Sequence, residues 1–164
     1  MATKPSHPDP ERIAQSFKDL AASAAQLNAA SDELAKAIAP IDAALKKLNV
    51  GVEFWHQYTG FDTPDGDYWG HRIGYAKLSG KWGLALSVVS GNFGQGPDED
   101  PEEWLFNDAP RAMRLKALDH IPAFLENFVK HVTTEAAELK KKMGQARELA
   151  AMISTVAREI TDGK

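Results

Sequence analysis

The sequence predicts an α+β protein in which a long antiparallel helical hairpin, a coiled-coil-like stalk, carries an inserted three-stranded antiparallel β-sheet head and a short helix. Two long stretches, one near each end of the chain, repeat apolar residues at spacings of three and four, which is typical of helices that pack against other helices. Between them, apolar and polar residues alternate, and glycine-containing turns interrupt the alternation, which is typical of strands. These observations indicate helices at both ends and a sheet in the middle.

The first stalk helix is predicted over residues 10–49. Asp9 is the expected N-cap, and Pro10 suits the first helical turn, where its missing N–H is not needed. Pro40 should kink the helix at a cost of about 3 kcal/mol. The apolar spacing nevertheless resumes in the same phase at Ile41, which favours one continuous helix. The apolar seam of this helix includes Phe17, Leu20, Leu27, Leu34 and Ile38.

The positions that flank this seam favour a helical bundle. They hold alanine, serine and asparagine, whereas a two-stranded coiled coil normally places charged residues there. A broad face of small side chains allows close packing by more than one neighbouring helix, so we expect a bundle of roughly three or four helices and a homodimer. The alternative is that alanine fills solvent-facing positions only because it forms helices well.

The second stalk helix is predicted over residues 122–162, after a short helix that is capped by Asp108 and has Pro110 in its first turn. Pro122 forces a bend between the two. Because the stalk helices have nearly equal predicted lengths, we expect them to pair antiparallel and to bring both chain ends together. The seam of the second stalk helix includes Leu139, Met143 and Ile153.

The head is predicted over residues 50–121, with two acidic loops between and after its strands. Ser79-Gly80 suits the tight turn of a hairpin that sets Tyr75 opposite Leu84. The strands are predicted over Val50–Tyr58, Trp69–Leu78 and Lys81–Ser90, and the loops over Thr59–Asp67 and Gly91–Asn107.

The two faces of the predicted sheet differ in the size of their side chains. One face is large and apolar, and we expect it to pack on the short helix and on the base of the stalk. The other face carries several glycines together with Arg72 and Ser87. Such a face either allows close packing or forms a shallow ligand groove, and the sequence leaves both open.

Length and composition favour one soluble domain. The 164 residues suit a single elongated domain over residues 10–164, after a tail at residues 1–9 that we expect to be disordered. The absence of cysteine excludes disulfides and thiolate metal sites, and we expect a cytoplasmic protein because no apolar run is long enough to span a membrane. Residues 51–108 hold three Lys/Arg and ten Asp/Glu, so this segment repels nucleic acid and favours a basic protein surface.

No catalytic, cofactor or metal site is predicted. The acidic loop around Gly66 fails as a calcium loop because Phe61 and Arg72 occupy positions that need carboxylates. The glycine-containing segments of the head depart from the phosphate-loop and dinucleotide patterns, and the common hydrolase motifs are absent. His56 and His71 lie on neighbouring predicted strands, but no third metal ligand accompanies them by spacing. These absences favour a protein that is not an enzyme.

The sequence therefore predicts an inhibitor, adaptor or accessory factor whose acidic head binds a partner protein with a basic surface. Trp55 is the expected exposed anchor, and carboxylates steer the encounter. Two alternatives remain: a ligand- or metal-binding head that uses the Arg72 face or His56 with His71, and a structural subunit of a larger assembly. The predicted partner-binding residues are Trp55, Asp98, Glu99, Asp100, Glu102 and Glu103.

Overall fold

The computed structural model describes residues 9–92 and 101–162, so that residues 1–8 of the predicted tail lie outside the described part. Over this part the protein is α+β, as predicted, with three α-helices and a four-stranded antiparallel sheet. The chain divides into two compact units, residues 1–47 and 48–164. In chain order the elements are α1 (Pro10–Leu48), β1 (Phe54–Asp62), β2 (Asp67–Leu78), β3 (Lys81–Asn92), β4 (Glu102–Leu105), a 3-10 turn (Phe106–Asp108), α2 (Arg111–Leu118) and α3 (Ile121–Asp162).

Helix α1 begins and continues as its sequence predicts. The carboxylate of Asp9 accepts a hydrogen bond from the backbone N–H of Glu11 at 3.0 Å, which is the geometry of an N-cap, and Pro10 is the first helical residue. The helix then runs for 39 residues without a break at Pro40. It ends before Asn49, whose φ of 48° is the left-handed conformation that often follows a helix.

The sheet has the strand order β1-β2-β3-β4, so the prediction of three strands was one strand short. The missed strand, β4, lies at the end of the segment predicted as the second acidic loop. Its two glutamates give it no apolar alternation, and four residues are too few to reveal a period. It is a strand because it pairs with β3, where Leu105 lies opposite Ala85 and Glu102 lies opposite Val88. Such pairing depends on tertiary context rather than on local propensity.

The first acidic loop is also shorter than predicted over Thr59–Asp67. β1 continues to Asp62 and β2 begins at Asp67, which leaves only a tight turn over residues 63–66. A bulge between Gln57 and Thr59 shifts the register at this point, and a pair of glycines follows it. A bulge interrupts the alternation of faces that the prediction relied on, so the continuation of the strand was not visible in the sequence.

The large face of the sheet is covered by α2 and α3, as predicted, and we call it the helix-facing side. The ring of Phe128 on α3 lies 5.7 Å from the ring of Phe54 and 5.7 Å from the ring of Tyr75. Phe124, one helical turn earlier, lies 6.2 Å from Phe54. The buried side chains of this layer include Ile73, Tyr75, Leu84, Leu86, Met113, Ala117, Phe124 and Phe128.

Helix α3 has a packed beginning and an exposed remainder. Its buried side chains are confined to the stretch from Ile121 to Phe128, and from Thr133 onward the described side chains are exposed. None of the helices in residues 9–92 and 101–162 has an apolar stretch long enough to cross a membrane.

Candidate functional site

The first candidate surface is the predicted seam on α1. Phe17 is 71% exposed, and Leu20 and Leu27 are also at least half exposed. Leu34 is half-buried and Ile38 is buried. The seam therefore changes along the helix, from apolar side chains that face solvent near its start to covered ones near its end.

The second candidate surface is the predicted seam on α3. Leu139 is 62% exposed, Ile153 is 60% exposed and Met143 is 45% exposed. Ile160, at the end of the predicted stripe, is also exposed, and exposed apolar side chains that the prediction did not include widen the stripe: Leu149, Met152 and Val156. Several of them line an apolar pocket of about 340 Å³ near the end of the helix. Water-exposed apolar side chains at heptad spacing are the usual sign of a surface that binds another helix.

The third candidate surface is the face of the sheet opposite the helix-facing side. We call it the glycine side and define it by the residues that the strand register places there: Trp55, Gln57, Gly60, Gly70, Arg72, Gly74, Ser87, Val89 and Glu103. A polar row crosses all four strands on this side. Gln57 lies opposite Arg72, Arg72 opposite Ser87, and Ser87 opposite Glu103.

Arg72 connects the members of this row. Its Nη2 donates a hydrogen bond to Oγ of Ser87 at 3.3 Å, and its guanidinium carbon lies 5.4 Å from the centre of the Trp55 ring, within the range of a cation–π contact. Burial raises the pKa of Glu103, and the nearby Glu53 raises it further, while the Arg72 guanidinium acts in the opposite direction. The structure thus brings together Arg72 and Ser87, which the sequence grouped as a ligand site, with Trp55 and Glu103, which it grouped as a partner site.

Trp55 is half-buried and held in one orientation. Its indole N–H donates a hydrogen bond to the carboxylate of Glu53 at 2.8 Å, and its ring lies across Gly74 on the neighbouring strand. A ring fixed in this way loses little conformational freedom when a partner binds, which is the property of an interface anchor. Glu102 is exposed but pairs with Val88 and therefore points to the other side of the sheet from Glu103. Asp98, Glu99 and Asp100 lie outside the described residues.

A pocket of about 310 Å³ adjoins Arg72 on the glycine side. The bulge in β1 and the tight turn after it bring the carboxylate of Asp62 to the far end of this pocket, since Asp62 lies opposite Tyr68. The sequence left a shallow groove on this face open as an alternative, but Asp62 was predicted to lie in a loop, so its carboxylate was not expected at the pocket. Its lining residues are Gln57, Asp62, Tyr68, Trp69, Gly70, Arg72 and Val89.

The histidines form a separate cluster on the helix-facing side. Nδ2 of Asn127 lies 3.3 Å from Nδ1 of His56, which ties this strand residue to α3. His71 packs edge-on against Trp69 with ring centres 4.4 Å apart, and Tyr58 stacks on His120 at 4.5 Å. The sequence gave no signal for the approach of His120 to the sheet, because His120 lies far from Tyr58 along the chain.

Burial controls the charge of this cluster. Desolvation lowers the pKa of His56, and the charge of His120 lowers it further. Desolvation also lowers the pKa of His71, with Lys116 as the second cause, and burial raises the pKa of the Tyr58 hydroxyl. Within the described residues, no group of three or more His, Cys, Asp or Glu side chains has the geometry of a metal site.

No protein-family model, curated protein or solved structure matches the chain. Three surfaces of the molecule are therefore the candidates for function. They are an apolar stripe on each long helix and, on the glycine side of the sheet, a polar row with an adjoining pocket.

Proposed function

We propose that this is a non-enzymatic interaction protein, an inhibitor, adaptor or accessory factor, that forms a homodimer through its two long helices and binds a partner protein through its acidic sheet. One observation carries the proposal: apolar side chains at heptad spacing are exposed along both α1 and α3. Burying each such side chain contributes about 1.5–3 kcal/mol. A folded chain that leaves them in water has a strong thermodynamic reason to associate.

The exposed area suits a stable dimer. At about 25 cal/mol per Å², ten side chains of this kind correspond to on the order of 600–1,200 Å² of apolar surface. Stable interfaces bury about 800 Å² on each partner. The two stripes therefore supply, without any other contact, roughly the area that a specific interface requires.

A second copy of the chain is the partner that fits these stripes. Heptad spacing selects a helical partner, and each copy supplies two helices of 39 and 42 residues that carry such a stripe. In the proposed assembly each chain contributes α1 and α3, and two copies form a four-helix bundle about a two-fold axis. The small residues that flank the α1 seam allow the close approach that this bundle needs.

The acidic sheet is the proposed surface for a different protein, and we place this interaction in the cytoplasm. Trp55 supplies a fixed aromatic anchor, and Glu103 and Glu53 lie beside it. Carboxylates around an aromatic anchor favour a basic partner and accelerate the encounter. The acidic run Asp98, Glu99, Asp100 and Glu102 extends the same charge in the sequence.

The dimer is tested by replacing one seam residue on each helix. The double variant Leu20→Glu/Ile153→Glu places two carboxylates in the proposed interface, so it should be monomeric, while the wild-type chain sediments as a dimer. The matched control is Ala29→Glu/Ala151→Glu, which adds the same charges on the opposite face of each helix and should remain dimeric. Sedimentation equilibrium over a range of concentrations measures the masses. A wild-type chain that stays monomeric at high micromolar concentration would contradict the proposal, whereas self-association well beyond a dimer would favour a structural subunit.

A second candidate is a head that binds a small ligand, and the pocket beside Arg72 is the observation that favours it. A free ligand at 100 times its dissociation constant adds about 2.7 kcal/mol of stability, so a thermal-shift screen with nucleotides, anions and divalent metals separates the two candidates. A large shift with one of these compounds would favour this candidate over the interaction protein.

A further inference from the structure

The pocket on the glycine side is built by the strand register. Gly60 lies opposite Gly70, and Gly70 lies opposite Val89, so Val89 is the one residue of these three with a side chain. The amide of Gln57 lies over the two glycines, with its nitrogen 2.7 Å from the position of a Cβ on Gly60 and 3.1 Å from that of a Cβ on Gly70. A Cβ on Gly60 would lie 2.5 Å from the carbonyl oxygen of Trp69, which shows that the two strands approach too closely for any other residue. The depression is therefore a fixed property of the sheet.

The size of the pocket selects a small occupant. Its volume of about 310 Å³ is at the lower limit of about 300 Å³ for small-molecule sites, so it suits one long side chain rather than a dinucleotide or a similar cofactor. Tyr68 and Arg72 are four residues apart on β2, which separates their Cα atoms by about 13 Å. The pocket thus extends along β2 with a different group at each end.

The two ends of the pocket differ in charge. At one end, Arg72 already contacts Ser87 and the Trp55 ring. At the other end, the exposed carboxylate of Asp62 lies beside Tyr68, and the Gln57 amide lies between the two ends, over Gly60 and Gly70. A cation paired with Asp62 at about 4 Å is attracted about three times as strongly as it is repelled by Arg72 at about 13 Å, and ionic screening reduces the repulsion further.

We propose that this pocket receives a single arginine or lysine side chain of the partner protein, with its charged end at Asp62 and its methylene stem against Gln57 and Val89. The inference rests on the proposed function and names the group that the acidic sheet recognises. The net charge of the surrounding segment supports it, because residues 51–108 carry three Lys/Arg against ten Asp/Glu. Long basic side chains pack an apolar stem and keep a charged end hydrated, which matches a pocket with Val89 and Tyr68 along its wall and an exposed carboxylate at one end.

The test uses the isolated side chain as the probe. N-acetyl-arginine methylamide is titrated into the full ¹⁵N-labelled chain to on the order of 100 mM, and N-acetyl-citrulline methylamide, its neutral isostere, is titrated in parallel. We expect saturable amide shifts at Gln57, Asp62, Tyr68 and Val89 with the arginine probe only. Equal shifts with citrulline, shifts elsewhere, or no saturation with either the arginine or the corresponding lysine probe would overturn the inference.

Two variants test whether Asp62 binds the charged end of the arginine probe. Asp62→Asn should weaken the arginine probe up to about fivefold, the range of an exposed ion pair. Asp65→Asn removes the same charge from the adjacent turn but does not line the pocket, so it should bind the probe as the wild type does. Because Asp62 is exposed, the amide spectrum of Asp62→Asn should otherwise remain unchanged. Equal affinity of the two variants, or acetate saturating the same amides more tightly than arginine, would overturn the assignment.

The failure of this inference is separable from the failure of the proposed function. If Asp62→Asn binds the probe more weakly but binds the partner protein with unchanged affinity, the partner does not use this pocket and the inference is wrong. The dimer, which is tested on α1 and α3, and the charge of the acidic run, which is tested on other residues, are not affected by that outcome.

Discussion

Side chains on the glycine side lie flat across glycines of the neighbouring strands. The ring of Trp55 occupies the space that a Cβ on Gly74 would need, and Tyr68 does the same at Gly91, where its hydroxyl oxygen would lie 2.5 Å from the added carbon. These glycines are therefore packing requirements rather than turn signals. The orientation of Trp55, and with it the position of Arg72 above the ring, depends on residues that contribute no side chain at all.

Adding one methyl group at Gly74 should destabilise the protein. Gly74→Ala places a Cβ 2.5 Å from the carbonyl oxygen of Phe54 and against the Trp55 ring, so the ring must leave its position. Overpacking of this kind costs about 1–3 kcal/mol. Urea unfolding measures the loss, and a change in tryptophan emission of the native state reports the movement of the ring.

The same glycine-to-alanine substitution at Gly144 should stabilise the protein instead of destabilising it. A Cβ there meets nothing within 4 Å, and the residue lies in the exposed interior of α3. Gly144→Ala should therefore stabilise by about 0.5–1 kcal/mol through helix propensity. Equal effects of the two substitutions would show that backbone entropy, and not the contact with Trp55, decides the result at Gly74.

At the scale of elements, the sequence predicted those helices and strands whose signals are local along the chain. The long helices have the predicted bounds to within one or two residues, because their apolar spacing and the proline and aspartate at the start of α1 are local signals. The hairpin of β2 and β3 has the predicted register, with Tyr75 opposite Leu84, and Ser79 and Gly80 have positive φ values of 48° and 80°. Two such residues fit the tight turn that a right-handed strand twist requires.

The parts that the sequence did not predict all depend on nonlocal pairing. The polar row exists only because Glu103 pairs with Ser87 on β3. The sequence of β4 has no apolar alternation from which this strand could be predicted. The pocket exists only because a bulge and two facing glycines extend β1 to Asp62. His120 reaches Tyr58 because of where the junction of α2 and α3 lies on the sheet, and spacing along the chain does not encode that position.

The histidine cluster should make the contact between sheet and helices weaken in acid. His56 and His71 have folded pKa values below the ordinary value of 6.5, whereas the unfolded chain binds protons near 6.5. The unfolded state therefore binds more protons below that pH, so the free energy of unfolding is fully retained above about 6.5 and falls as the pH is lowered. Urea unfolding from pH 7.5 to 5 measures the decline, and ¹H–¹³C NMR of the imidazoles measures the native pKa values.

Glu103 contributes to the pH dependence of stability with the opposite sign from the histidines, and a variant separates the two contributions. Its folded pKa is raised above 4.5, so the stability linked to it is present below 4.5 and is lost as the pH rises through the folded value. In the Glu103→Gln variant this opposing pH dependence is absent. The free energy of unfolding should therefore fall more steeply with decreasing pH wherever the titration of Glu103 overlaps that of the two histidines. A stability that does not change between pH 7.5 and 5 in that variant would contradict the assignment to His56 and His71.

At the scale of the whole molecule, charge is divided unevenly along the chain. Residues 1–50 hold six Lys/Arg and six Asp/Glu and are neutral, residues 51–108 hold three and ten and carry −7, and residues 109–164 hold ten and seven and carry +3. The apolar stripes of the proposed dimer lie in the neutral and the positive regions, and the proposed partner surface lies in the negative one. The proposed dimer depends on burial of apolar side chains and the proposed partner binding depends on charge. Because the two use different segments of the chain, substitutions can disrupt one without the other.

Reversing the acidic run should slow partner binding without changing the dimer. Asp98, Glu99 and Asp100 changed to lysine raise the charge by two units at each of three positions, which takes the net charge from −4 to +2. Because charge complementarity acts mainly on the encounter rate, association with the partner should slow by at least about tenfold at low salt, and the difference should shrink as salt is added.

The control variant replaces Asp19, Asp32 and Glu33 of α1 with lysine. It has the same net charge, but the changed residues lie in a region of the chain that is neutral in the wild type. Affinity capture followed by mass spectrometry identifies the partner, and stopped-flow mixing with the purified partner measures the rate. Equal slowing in both variants would show that net charge alone governs the encounter, and unchanged rates in the first variant would show that the acidic run does not steer it.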